Sequence, residues 1–273
     1  SSALIRVSAK DFYVVDLFGV EGGKSHHFLF HAAEGDVATQ GLDLKPQNEG
    51  TYAGKEVAFG EFYDGEVEDY EGSGFQYLYD VRRCAHPDDQ VAVDWTVKDT
   101  WKLLPESKVS DRPEMTDIHL RWNLLSPPGE VSLCHGDPPQ NKGNNPRRLT
   151  YGVIENHNTE SSFLSMIEAY RSNRVVEEIS ELEVSGRGGA RAVQVILIGG
   201  RKDTIVFGDG QNRVVDERLA FDGLFGVFSE CDDGSGWATL VGGSVLATGD
   251  QGVSSGLPAW RGTITGFSDG VLK

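Results

Sequence analysis

Short runs in which apolar and polar residues alternate recur along the chain, separated by polar and glycine-rich segments. A period of two puts every second side chain on one face of a strand, as in a sheet with one buried face. The runs are too short for helices, so the sequence predicts an all-β protein. Clear examples are Phe12–Phe18, Phe75–Val81, Val91–Val97 and Ile118–Leu124.

The segment from Phe163 to Tyr170 fits two patterns. Its apolar residues match the i, i+3, i+4, i+7 spacing of a helix face, and they also match the alternation of a strand. Because the neighbouring runs all resemble strands, we expect a strand here.

Two segments are expected to be irregular. Residues 34–74 are rich in turn-forming and acidic residues, and Ser126–Arg148 contains five of the ten prolines together with Asn and Gly. Proline removes a backbone donor and disfavours central strands, so we expect Ser126–Arg148 to be an irregular surface segment.

The character of the chain changes near Asn173, after which compact apolar runs alternate with glycine-rich turns. Glycine makes up 34 of the 273 residues, as many tight turns require. We therefore predict a large antiparallel β-sandwich in residues 1–174, followed by a smaller β-sheet domain in 175–273, a meander or small sandwich. A strand is also expected at Trp260–Phe267.

The charge balance restricts the partners. The chain has 25 basic and 42 acidic residues, a formal net charge of −17, which repels nucleic-acid backbones. The charge also argues against broad, patch-driven binding of a sulfated or uronate polysaccharide. A local basic groove could still hold a polyanion, because charges beyond ~8–10 Å are largely screened at physiological salt. No apolar run is long enough for a membrane span. The three cysteines form no CxxC motif, so we expect free thiols, buried or partly buried.

Three histidines lie between Ser25 and His31. In a strand, His27 and His31 share a face, but their Cα atoms lie about 13 Å apart. Two ligands of one zinc ion must both approach it to ~2.0–2.1 Å, so neither a metal site nor a cofactor is predicted. His27 and His31 are the candidate catalytic residues, and the alternative is a structural or ligand-facing role.

Candidate substrate-binding residues are Arg82, Arg83 and Trp101. Arginine binds carboxylates bidentately, although the many acidic residues also offer internal ion pairs. Trp101 lies beside a loop and is the expected surface aromatic for stacking on sugars. Trp95 and Trp122 lie in alternating runs and are expected in the core.

Several segments resemble heparinase II/III-type polysaccharide lyases, in which a YVVD strand leads through a turn to a histidine-bearing strand. The likeness covers most of the chain, as strand patterns. The segments that carry it are Asp11–Val20, Gly22–His27, Phe30–His31, Gly74–Arg83, Ile118–Arg121 and Gly223–Phe228.

Lyases of this family have an N-terminal α/α toroid followed by β-sandwich domains. The resemblance implies that this chain is the C-terminal β portion, with the toroid of the same parent chain and a polysaccharide as partners. It also implies a secreted or periplasmic location. The start at Ser1, without Met, agrees with a cut in a longer polypeptide.

The family's reaction is β-elimination: a base removes the proton at C5 of a uronic acid, and the 4-linked sugar leaves. The tyrosine and one neutralising residue come from the toroid, and the catalytic histidine and zinc ligands of the sandwich precede the strand that opens this chain. The resemblance therefore carries no catalytic residue over.

Three functions are compatible with the sequence. The leading hypothesis is the C-terminal β-sandwich portion of a polysaccharide lyase acting on a uronic-acid-containing glycan, with a supporting or cleft-lining role. The alternative is a non-catalytic carbohydrate-binding or cell-surface interaction module. A third is an independent enzyme of the sugar-mutarotase-like sandwich class.

Overall fold

The computed structural model describes residues 1–62, 73–98, 116–125, 129–140, 145–184, 190–210, 214–215, 219–249, 251–254, 267–268 and 271–272. Within these residues the chain forms β-strands and a 3-10 turn at Phe75–Tyr77, and no α-helix. The all-β prediction is confirmed. No helix in this described part is long and apolar enough to cross a membrane. The chain divides into two compact units, Ser1–Arg174 and Val175–Lys273.

The first unit contains two antiparallel sheets. Its strands are β1 (Ser2–Arg6), β2 (Phe12–Glu21), β3 (His26–His31), β4 (Gly35–Gln40), β5 (Lys45–Pro46), β6 (Leu78–Cys84), β7 (Gln90–Val97), β8 (Ile118–Leu125), β9 (Glu130–Gly136), β10 (Leu149–Asn156) and β11 (Glu160–Arg171). The six-stranded sheet has the order β1-β2-β11-β8-β7-β4, and the five-stranded sheet has the order β3-β10-β9-β6-β5.

Aromatic side chains fill the core between these sheets. Trp95 and Trp122 are fully buried, as predicted. The Phe30 ring stacks on the Trp122 ring with centroids 5.2 Å apart. A Cβ added at Gly152 would lie 2.5 Å from Trp122, so the ring passes directly over a backbone that has no side chain there. The large aromatic residues and this glycine together set the separation of the sheets.

The ambiguous segment is a strand. β11 runs for 12 residues and pairs with β2 on one side and β8 on the other. Two antiparallel neighbours pair with its backbone N–H and C=O groups. A helix in the same place would use these groups for its own hydrogen bonds and leave the facing groups of both neighbours unpaired. The strand prediction for this segment is confirmed.

Other sequence predictions were wrong. Ser126–Arg148 contains β9, which lies in the middle of the five-stranded sheet and has Val131 and Leu133 fully buried. The prolines lie outside β9, so they bound the strand and do not interrupt it. Residues 34–74 include β4 and β5. The run Phe75–Val81 starts as the 3-10 turn, and β6 begins at Leu78.

The second unit has further antiparallel sheets. Its strands are β12 (Val176–Leu182), β13 (Arg191–Leu197), β14 (Lys202–Phe207), β15 (Val214–Val215), β16 (Ala220–Phe221), β17 (Phe225–Glu230), β18 (Gly236–Val241), β19 (Val245–Thr248), β20 (Gln251–Ser254), β21 (Phe267–Ser268) and β22 (Val271–Leu272). They form sheets of order β12-β13-β14-β17-β18, β15-β16-β19-β20 and β21-β22. The first two share a core that includes Val206, Phe221 and Leu246. The predicted strand at Trp260–Phe267 lies outside the described residues, apart from Phe267.

Candidate functional site

A row of polar side chains crosses the outer face of the five-stranded sheet. Strand pairing sets His27 of β3 beside Glu155 of β10, and Glu155 beside Glu130 of β9. Arg83 of β6 pairs with Ser132 and reaches Glu130 through an ion pair. The antiparallel register thus collects four residues that lie far apart in the sequence.

Glu155 is the centre of this row. Its Oε1 atom lies 3.4 Å from His27 Nε2 and 3.4 Å from His157 Nε2. Its Oε2 atom accepts a hydrogen bond of 3.3 Å from the Tyr52 hydroxyl and lies 3.9 Å from Arg83 Nη1. The hydrogen bond to His27, together with the charges of His27, His157 and Arg83, outweighs burial and lowers the pKa of Glu155 to about 2. The side chain is therefore a carboxylate at neutral pH.

All three guanidinium nitrogens of Arg83 have partners. Besides the ion pair of Nη1 with Glu130, Nε donates to Gln47 Oε1 at 2.9 Å and Nη2 donates to the Tyr52 carbonyl at 3.3 Å. The guanidinium also lies over the Tyr52 ring, 4.7 Å from its centroid. Burial lowers the pKa of Arg83, but the hydrogen bond and charge of Glu130 more than offset it, and the net pKa is raised.

Tyr52 and Phe75 cover one end of the row. Tyr52 is only 4% exposed, and its ring meets Phe75 edge-on at 5.0 Å and His27 at 5.8 Å. Burial, and then the charge of Glu155, raise the pKa of the Tyr52 phenol well above its ordinary value. A buried phenol held neutral in this way cannot act as a base at neutral pH.

The other predicted site residues do not join this row. The His31 ring lies tilted against the Tyr151 ring, with centroids 4.8 Å apart, and its Nδ1 is 2.9 Å from the Ala32 carbonyl oxygen. Arg82 is half-buried, and because successive strand residues point to opposite faces it does not act together with Arg83. Trp101 lies outside the described residues. In the described part of the chain, no group of three or more His, Cys, Asp or Glu is placed to hold a metal ion.

A cleft of about 450 Å³ opens beside Arg83 at the β5 edge of the same sheet. Three of its side chains are basic and two are acidic, which is an unusual balance for a chain with a net charge of −17. The lining residues are Lys45, Pro46, Gln47, Asn48, Glu49, Lys55, Glu56 and Arg83.

Three aromatic residues form a second feature of this unit, here called the aromatic surface: Phe59, Tyr77 and Tyr79. Phe59 and Tyr77 are 59% and 45% exposed. The Phe59 ring meets Tyr77 edge-on at 5.7 Å and Tyr79 at 5.6 Å. Sequence analysis missed this group. Its signal was the presence of Phe59 in a segment expected to be a loop, where no sheet face was available to bury it.

Polar groups border the aromatic surface. The Tyr79 hydroxyl donates a 2.6 Å hydrogen bond to Asp137, and the Arg148 guanidinium lies 5.2 Å from the Tyr79 ring centroid. His135 Nδ1 lies 3.1 Å from an Asp80 carboxylate oxygen. Exposed rings with donors and acceptors at their rim are the combination found in sites that bind amphipathic ligands.

A separate cluster surrounds His119 on the six-stranded sheet. His119 Nδ1 lies 2.7 Å from Asp94 and Nε2 lies 3.2 Å from Asp117. The Tyr170 hydroxyl donates to Asp94 at 2.6 Å, and the Tyr170 and His119 rings stack at 4.7 Å. Burial lowers the pKa of His119, but hydrogen bonds to Asp94 and Asp117 outweigh burial and raise it. Both ring nitrogens of His119 therefore contact carboxylates.

No protein-family model matches the chain, and a search of curated proteins finds no significant match. The likeness to heparinase II/III-type lyases therefore stays a prediction from the sequence.

Proposed function

We propose that this chain is a non-catalytic, glycan-binding β-sandwich portion of a polysaccharide lyase, and that it holds the glycan on its aromatic surface. The observation that carries the proposal is the contact between the Phe59 and Tyr77 rings, which are 59% and 45% exposed. Contiguous exposed apolar patches are uncommon on soluble proteins and mark interaction sites.

A sugar fits this surface chemically. The C–H face of a pyranose ring packs on an aromatic ring, and its hydroxyl groups need donors and acceptors nearby. Asp137, Asp80 and Arg148 supply such groups at the rim, where Tyr79 already bonds to Asp137. Neither rings alone nor polar groups alone would provide both contacts.

The cleft beside Arg83 offers one further basic group to an acidic glycan. Two of its three basic side chains already have acidic partners, Lys45 with Asp43 and Arg83 with Glu130. We expect Lys55, the third, to attract a uronate, because distant charges are screened and the net charge of −17 acts only weakly at this position. The segment 45–62 supplies both Lys55 and Phe59, so one stretch of chain contributes a basic part and an aromatic part.

The polar row supports a structural role over a catalytic one. β-Elimination needs a base, an acid and a group that neutralises the sugar carboxylate. His27, Tyr52 and Arg83 have suitable chemistry, yet Arg83 is paired with Glu130 and the other two contact Glu155. A substrate carboxylate would first have to displace Glu130. We therefore assign catalysis to another part of the parent enzyme, acting outside the cytoplasm, with this chain supporting it or lining its cleft.

The binding test uses the double variant Phe59→Ala/Tyr77→Ala. Calorimetric titration with polygalacturonate, alginate, heparan sulfate and neutral dextran should show binding of at least one acidic polymer by the wild type. Loss of aromatic stacking should weaken it about tenfold or more. Phe12→Ala is the matched control, since Phe12 is 40% exposed on β2 of the other sheet. Equal affinities for wild type and double variant would refute the aromatic surface as the binding site.

The catalytic part of the proposal has its own test. The chain and its full-length parent are incubated with the same uronate polymers, and the ultraviolet absorbance of the unsaturated product is followed. We expect product from the parent and none from the chain alone. Product from the chain alone would contradict the non-catalytic role, and a His27→Gln variant would then show whether the polar row is responsible.

A further inference from the structure

A second cleft lies in the other unit, where its five-stranded and four-stranded sheets share a core. It measures about 340 Å³, within the range of small-molecule sites. The five-stranded sheet lines it with Leu182, Gln194 and Thr204 and with the ion pair Lys202–Glu230. Thr248, at the end of β19, lines it from the four-stranded sheet, and Leu219 lies just before β16.

One polar atom in this lining, Thr248 Oγ1, has no hydrogen-bond partner among the described residues. The atom is buried. A hydroxyl withdrawn from water without a partner costs free energy, and buried polar groups in folded proteins are nearly always satisfied. Because Oγ1 is closed to water in the unliganded chain, a ligand hydroxyl would supply the missing partner only after the Thr248 side chain rotates towards the cleft.

The lining selects the chemistry of that ligand. The Gln194 amide offers both donors and an acceptor, and the Thr204 and Thr248 hydroxyls each offer both. Lys202 and Glu230 neutralise each other at 2.9 Å, so the cleft carries no net charge. The Leu182 side chain adds an apolar wall against which C–H groups can pack.

We propose that this cleft binds a small neutral polyhydroxylated molecule, a monosaccharide or a single terminal sugar. An anionic sugar is disfavoured, because Glu230 would repel it and Lys202 is already paired. The proposal is independent of the aromatic surface, which belongs to the first unit and shares no residue with this cleft.

The experiment is an NMR titration of the full ¹⁵N-labelled chain with glucose, galactose, mannose and galacturonate. At least one neutral sugar should cause saturable shifts of the Gln194 side-chain amide and the Thr204 and Thr248 backbone amides. Galacturonate should bind more weakly than galactose. No saturable shift at about 50 mM, well above a millimolar Kd, would overturn the proposal.

Thr248→Val tests the unpaired hydroxyl. It conserves side-chain volume and removes the hydroxyl, so affinity for the neutral sugar should fall about tenfold. The variant should melt no lower than the wild type, because it deletes an unsatisfied buried group, and it therefore remains testable. Thr239→Val, an exposed threonine on β18, is the matched control. Unchanged affinity in Thr248→Val would refute the assignment.

The two sites can be told apart in one protein. The Phe59→Ala/Tyr77→Ala variant should keep the sugar-induced shifts at Gln194 and Thr204 even where polymer binding is lost. Disappearance of those shifts in this variant would show that the second cleft is not an independent site.

Discussion

The Nε2 atom of His27 lies 3.4 Å from the Oε1 atom of Glu155, which occupies the directly opposed position on the neighbouring strand. This contact is the largest cause of the low pKa of Glu155. It ties the histidine-bearing strand β3 to β10 and, through Glu155, to the Arg83 side chain. The pair is thus a structural connection across the sheet.

We predict that Glu155 makes stability depend on acidity. Its pKa is about 2 when folded, below the ordinary value of 4.5, so its contribution is present above about pH 4.5 and is lost as pH falls towards 2. Glu155→Gln should lower the free energy of unfolding by about 1–3 kcal/mol at pH 7 and by little near pH 2. Urea unfolding followed by tryptophan fluorescence measures both. Glu160→Gln, an exposed position on β11, is the control. An equal loss at both pH values would contradict the linkage.

The contribution of His119 to stability should depend on pH in the opposite direction from that of Glu155. Its folded pKa is raised, so its stabilising effect is complete below the unfolded value and is lost as pH rises through the folded pKa. Asp94, Asp117, Arg121 and Tyr170 are the charged or titratable groups around it.

The measurement for His119 is an NMR titration of the histidine ring protons. The midpoint of His119 should lie above the ordinary histidine value of 6.5, and His119→Gln should destabilise more at pH 5.5 than at pH 8.5. A His119 midpoint at or below 6.5 would contradict the two-carboxylate contact.

Gly152 should tolerate no side chain. Because a Cβ there would lie 2.5 Å from Trp122, Gly152→Ala must displace the ring or the strand, at a cost of about 1–3 kcal/mol. Gly19→Ala on β2 is the control, since a Cβ there meets nothing within 4 Å. Thermal unfolding compares the two, and similar melting temperatures would show that Trp122 repacks freely.

The three free cysteines should differ in reactivity. Cys84 and Cys134 are buried, and burial raises the pKa of Cys134 to about 12, whereas Cys231 is partly exposed. Since the thiolate is the reactive form, a thiol reagent should modify Cys231 first in the native protein and all three in urea. Rapid native labelling of Cys134, read by peptide mass spectrometry, would contradict its burial.

The sequence by itself determined the features that depend only on residues close together along the chain. The alternation in Val91–Val97 and Ile118–Leu124 specifies strands with a buried face, and it placed Trp95 and Trp122 in the core. Prolines misled the interpretation of Ser126–Arg148, because their position relative to β9 depends on where the strand pairs.

Only the tertiary structure decided which distant side chains meet. Glu155 and Arg83 come together because β10, β9 and β6 lie side by side in one register, and no local pattern encodes that register. The exposure of Phe59 and the unpaired hydroxyl of Thr248 likewise depend on what the rest of the chain leaves uncovered. A strand's face is a local property of its sequence, whereas a site is a relation between strands, which forms only when the sheets assemble.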